Sequence, residues 1–206
     1  MRKWLVLLCL LAVFAVGCNP VAAPFMASEA IRKLFHPDPA KGAFGEKTVL
    51  VLTFAPSKVL QVHPDLEYEV GSALLAEMKE AFPKATFVSA STLRDWQAKN
   101  LNWRGMLTHE IGKHLGADLV LDLNITTFRT REGGGSMVQQ GVLAWEAQVV
   151  EAATEKRLWR MGESEARWPK TPRYILNDVP EARIKHRVVA RFIEAFMGRF
   201  LEEFAG

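Results

Sequence analysis

Cysteine is scarce in this chain, with two in 206 residues, and the first, Cys9, lies inside an apolar stretch near the amino terminus. If that stretch is removed, Cys18 is the only thiol left, so no intramolecular disulfide can brace the fold and the core must be hydrophobic. Charge imbalance is also missing. Setting aside Arg2 and Lys3, the 26 basic side chains become 24 against 23 acidic ones, a net of +1 that gives no reason to expect nucleic acid as a partner. No apolar run reaches the ~20 residues that a membrane-crossing helix needs, because Trp4 to Val16 is too short. Catalytic patterns are absent too. There is no serine elbow, no paired metal ligands and no free nucleophilic cysteine once Cys18 is modified. What remains, with 49% hydrophobic and 24% charged residues, is the composition of one ordinary globular domain.

The amino terminus has the parts of a secretion signal: positive Arg2 and Lys3, the apolar stretch, then small residues before a cut. Ala15-Val16-Gly17-Cys18 resembles the lipobox of bacterial lipoproteins, with Ala15 where leucine is commoner. The resemblance implies that diacylglycerol is attached to the Cys18 thiol and that the chain is cut just before it. The competing readings are an uncleaved anchor and an ordinary cleaved signal with a chance cysteine. Acyl chains contribute ~0.8 kcal/mol per buried methylene, so two or three of them hold a protein on a bilayer where one does not. Asn19 follows the cysteine, where an Asp would favour inner-membrane retention, so the outer membrane facing the periplasm is the favoured destination. The division expected is a signal over 1–17, a lipidated tether over 18–25, a short helix and linker over 26–44, and a single domain over 45–206.

Within that domain, strand and helix patterns alternate. Lys47 to Phe54 is a short run apolar on both faces, as in a central strand. Leu66, Val70, Leu74 and Met78 then recur at helical spacing after Asp65, a candidate cap, and before Pro83. Ala85 to Ser89 is a second strand, Ser91 is read as the cap of a helix through Lys99, and Met106 to Leu115 is a helix burying Leu107, Ile111 and Leu115 before a Gly116 stop. In Asp118 to Phe128, Leu119, Leu121, Leu123 and Ile125 alternate with Val120, Asp122, Asn124 and Thr126, which predicts one core face and one largely polar face. Met137 to Glu151 and Arg157 to Arg167 continue an antiparallel meander, with Gly133–Gly135 as a hairpin tip. Glu181 to Phe204 closes the chain as a helix whose stripe of Ile184, Val188, Phe192, Phe196, Phe200 and Phe204 covers the sheet. The fold class expected is α/β, in the order β-α-β-α-α-β-β-β-α, a small mixed sheet with helices mainly on one face.

That order resembles the small domain shared by the curli secretion lipoprotein, the lipoprotein activator of penicillin-binding proteins and the amino-terminal domain of the Tol-system propeller protein. The carrying residues are Val49 to Phe54, the helix after them, and Ile111 to Thr126, where a helix ends in leucine-glycine-alanine-aspartate and leads into an apolar strand. The loop Ala55 to Pro64 is longer than those families have at the first strand's exit.

Chemical motifs dissolve on inspection. His109-Glu110 begins like a zinc-protease helix, but Lys113 stands where the second histidine belongs, and His114 is ~140° round the helix from His109. Gly133–Gly135 precede a strand rather than a helix, so they lack the dipole that holds a phosphate. Asn124-Ile125-Thr126 matches a glycosylation acceptor but lies within a strand. Arg183, Lys185, Arg187 and Arg191 form a basic cluster whose bland reading is a solvated helix face, and Trp96, Trp103 and Trp168 are read as packing residues near element ends. The sequence therefore predicts no cofactor, no metal and no enzyme. It predicts a lipid-anchored module that binds an envelope protein or cell-wall component through the sheet face bearing Asp122, Asn124, Glu146, Gln148 and Arg160. The alternatives are a homo-oligomeric subunit of a secretion-channel type and, more distantly, an envelope hydrolase.

Overall fold

Five strands form one open sheet in the order β2-β1-β3-β4-β5, a mixed sheet with helices on both sides. The structure is a computed structural model and describes residues 44–130, 138–174 and 179–204. The signal, Cys18, the tether, the expected helix at 26–35 and the Gly133–Gly135 tip lie outside the described residues. Strand β1 (Thr48–Phe54) leads through a single helical turn, α1 (Ser57–Leu60), to α2 (Leu66–Ala81) and the two-residue β2 (Thr86–Phe87). Helix α3 (Ala90–Lys99), a 3-10 turn at Trp103–Gly105 and α4 (Thr108–His114) return the chain to β3 (Leu119–Arg129). Strands β4 (Val138–Glu151) and β5 (Arg157–Tyr174) and helix α5 (Glu181–Phe204) complete it. β1 pairs in parallel with β2 and β3, while β3, β4 and β5 are antiparallel. The expected element order is present, with α1 as an extra turn inside the long loop.

The two longest described helices share one face. Leu66, Val70, Leu74 and Met78 of α2 and Val188, Phe192, Phe196 and Phe200 of α5 bury Val49, Val51, Leu119, Leu121, Leu123, Trp145, Val149 and Met161. Alternation along β3 and β4 places these residues together, since a strand turns every second side chain the same way. Trp145 meets Phe192 edge to face at 4.8 Å and its Nε1 donates to Met161 Sδ, so its polar atom is served inside the core. Phe44, assigned by the sequence to the linker, is 1% exposed and packs against Phe82 and Phe200, so the folded unit includes it.

On the opposite face α3, the 3-10 turn and α4 cover β1, the first part of β3 and, through α4, part of β4. There Leu50, Leu52 and Val120 pack under Trp103, Ile111 and Ala117. Gly116, at φ 67°, ends α4. The Ala117 amide donates to Gly112 O and the Gly116 amide to Lys113 O, the two bonds of a Schellman motif.

Several local expectations are corrected. The cap of α3 is Ser89, whose Oγ accepts from the Thr92 amide, and not Ser91. Asp65 makes no side-chain cap bond. Leu107 is the exposed N-cap of α4 rather than a core residue, and its amide donates to Glu110 Oε2. β5 continues past Arg167 to Tyr174, because it is an edge strand and prolines that would break a central ladder are tolerated there.

Candidate functional site

The five residues of the predicted sheet face do lie on one side of the sheet, in adjacent cross-strand rows. Leu52, Asp122, Gln148 and Arg160 stand opposite one another across β1, β3, β4 and β5, and the next row pairs Phe54, Asn124 and Glu146. They differ in how open they are. Asp122 is half-buried at the margin of α4, where its Oδ2 accepts from Thr108 Oγ1 at 3.0 Å and from Gln148 Nε2 at 2.9 Å. Burial raises its carboxyl above the ordinary aspartate range, and these two hydrogen bonds work against that rise. Thr108 had no assigned role; its one signal in the sequence is its place at the start of a helix. Asp122 therefore ties α4 to the sheet rather than facing solvent freely.

Beyond that tie the face opens. Asn124 and Arg160 are exposed, Glu146 is half-buried, and Arg160 Nη2 lies 3.7 Å from Glu146 Oε2. Farther along, Arg167 Nε and Nη2 bind the two oxygens of Glu165 at 2.7 and 3.0 Å, a bidentate pair that holds the Glu165 carboxyl below its usual range. Gln140, 1% exposed, donates to the carbonyls of Pro169 and Lys170 and anchors the far part of β5 against β4. The result is a sheet surface whose two charge signs interleave beyond the margin where α4 meets β4.

The other sequence candidates scatter. His109 Nε2 lies 3.0 Å from Glu155 Oε1, while His114 sits beside the Trp96 ring on the exposed side of α4. Among the described residues no three His, Cys, Asp or Glu side chains converge as metal ligands. Of the basic cluster, Lys185 pairs with Glu69 of α2, Arg191 pairs with Glu194, and Arg183 and Arg187 are exposed. Lys185 thus turns toward α2, while Arg183, Arg187 and Arg191, spaced four apart, share one exposed face of α5. Trp103 is buried, stacked on Phe54 at 5.3 Å with the Arg104 guanidinium over its ring, and Trp96 and Trp168 are half-buried against the two cores. No described helix is long and apolar enough to cross a membrane.

No family model matches the chain, and no curated protein matches it. Solved structures do. PelC from Paraburkholderia phytofirmans, a dodecamer, aligns with TM-score 0.43 at 11% identity over 79% of this chain and 92% of its own. The LpoB C-terminal domain from Salmonella enterica aligns with TM-score 0.29 at 16% identity over 66% and 90%. Lipoprotein GNA1162 from Neisseria meningitidis aligns with TM-score 0.50 at 14% identity, covering 76% of this chain and 99% of that one, so the domain described here shares the fold of that structure.

Proposed function

We propose that this protein is a lipid-anchored component of a bacterial envelope, acylated at Cys18 and cut before it, whose domain binds another envelope protein or a cell-wall component without catalysis. The observation that carries the binding reading is the partial cover of the sheet: α3 and α4 stop over β1, early β3 and part of β4 and leave Asn124 and Arg160 exposed beside the half-buried Glu146. A surface of interleaved charges and amides with no group poised for turnover is suited to specific, polar recognition of a partner. The lipobox residues Ala15 to Cys18 support the anchor, as does the shared fold with a lipoprotein, and Asn19 supports an outer-membrane destination facing the periplasm.

The test is crosslinking in the native cell with identification of what is captured. Charge reversal of the open face, Glu146→Lys with Arg160→Glu, should abolish capture of the principal partner while the protein stays membrane-bound. Undiminished capture by that variant would remove the sheet face from the account.

A further inference from the structure

Resting on the anchored reading above, we propose that the arginine row of α5 docks on the anionic phospholipid headgroups of the bilayer that holds the anchor, and so turns the open sheet face away from that bilayer. Arg183, Arg187 and Arg191 are all exposed. Each step of four residues advances ~6 Å along a helix and ~40° around it, so the three guanidiniums form one line within an arc of ~80°. The buried stripe of Ile184, Val188, Phe192, Phe196 and Phe200 occupies the other side of α5, against the sheet.

The row works against the helix that carries it. Like charges four residues apart repel one another on a helix surface. The helix dipole also favours anions at the amino end and cations at the carboxyl end. α5 has the reverse order: its arginine row begins in the first turn, its last turn holds no basic residue, and Glu202 and Glu203 are exposed there. Glu181 is the one acid of the first turn. Arg191 has Glu194 at 2.7 Å, but among the described residues Arg183 and Arg187 have no ion-pair partner. A charge order that folding disfavours is explained by an anionic surface outside the domain.

α5 is also the helix beside which the anchoring segment joins the domain. Phe44, the first described residue, meets the Phe200 ring at 5.9 Å and the Phe204 ring at 5.3 Å. Arg187 lies ~20 Å back along the helix from Phe200, and the chain from Cys18 to Phe44 can reach up to ~90 Å at ~3.5 Å per residue. An acylated Cys18 therefore allows the row to rest on the bilayer in which its acyl chains sit. α5 and α2 cover one side of the sheet, and Asn124 and Arg160 are exposed on the other, so contact through the outer side of α5 leaves them facing away from lipid. Guanidinium suits the ligand, since its planar fork matches phosphate oxygens in pairs. Each basic residue near an anionic leaflet raises partition roughly fivefold, which orients a tethered domain but does not replace the acyl chains.

The test is fluorescence quenching of the natural acylated protein reconstituted into vesicles. With Cys18 acylated and Cys9 lost with the signal, Ala190→Cys or Asn124→Cys supplies a single thiol for a dye, and lipid spin-labelled at the headgroup quenches dyes near the surface. Ala190 is exposed between Arg187 and Arg191. Its dye should be quenched about twofold or more strongly in phosphatidylglycerol–phosphatidylethanolamine vesicles than in phosphatidylcholine alone, while the Asn124 dye is quenched weakly in both. The difference should vanish at about 1 M salt, where the Debye length falls to ~3 Å, and in Arg183→Glu with Arg187→Glu, whose melting should be unchanged. Equal quenching of the Ala190 dye in the two vesicles, stronger quenching at Asn124, or no effect of the charge reversal would each overturn the proposal. Energy transfer between Ala190 dyes that grows with protein density and ignores lipid charge would place a second copy on this face and overturn it too. If Cys18 carries no acyl mass, the chain is held as Cys18→Ser by an amino-terminal histidine tag on nickel-chelating lipid in the same vesicles, so failure of the anchor and failure of the docking surface are read apart.

Discussion

Two glycines in helices show how far a single atom's surroundings decide a residue's worth. At Gly112 in α4 a Cβ would lie 2.5 Å from Val120 Cγ2 and 3.1 Å from Ala152 Cβ, so the helix rests directly on β3 and on the turn after β4. Gly112→Ala gains ~1 kcal/mol of helix propensity but forces a packed contact apart, at a cost of ~1–3 kcal/mol or more. The denaturation midpoint should fall. Gly198 in α5 has nothing within 4 Å of the same position, and Gly198→Ala should raise the unfolding free energy by ~0.5–1 kcal/mol and move the midpoint up. His63 tests a different force. It lies edge-on to Phe128 at 4.8 Å, with Glu181, Lys185 and Glu69 as the charges facing it, and desolvation lowers its pKa despite the nearby carboxylates. A folded pKa below the unfolded one means the unfolded chain takes up the proton first. Stability should therefore decline as pH drops from the ordinary histidine value of 6.5 toward the lower folded one. Thermal melts across that window should show the decline in the natural protein and lose it in His63→Phe. A flat profile in the natural protein would remove His63 from the pH dependence.

At the scale of elements, what was legible in the sequence is what periodicity alone determines. The α5 stripe from Ile184 to Phe200 and the alternation of Leu119 to Ile125 can each be read from one element, and both are buried as expected, with Phe204 half-buried at the end of the stripe. Phe196→Ala, which empties the centre of the aromatic row packed on Trp159 and Phe200, should cost ~3–5 kcal/mol in a denaturant melt. Features set by pairs of elements were not legible. The extension of β5 to Tyr174 depends on its being an edge, and neither prolines nor alternation within one segment reveal which strand is outermost. Leu107 fits the helical period yet is exposed, because α4 begins only at Thr108 and the Trp103 turn fills the space a longer helix would have covered. The candidate face behaves the same way. Its five residues were correctly placed on one side, but the bond from Thr108 that withdraws Asp122 joins α4 to β3 and leaves no pattern in either segment.

For the whole molecule, the arrangement of helices decides what the domain can do. α2 and α5 seal one side of the sheet with an aromatic core, and α3 and α4 seal only half of the other, so the β4–β5 hairpin offers a polar surface supported from behind by Trp145 and Phe192. On the proposed reading this surface docks a partner, and a tether at Cys18 would aid that by raising effective concentration. Fractionation should find the natural protein with membranes and Cys18→Ser released from them, with unchanged melting of the domain. The most direct measurement of this account is the mass of the amino-terminal peptide of the mature chain isolated from cells. The account predicts a peptide beginning at Cys18 and carrying diacylglycerol. A peptide that begins elsewhere, or a Cys18 thiol without acyl mass, would contradict it.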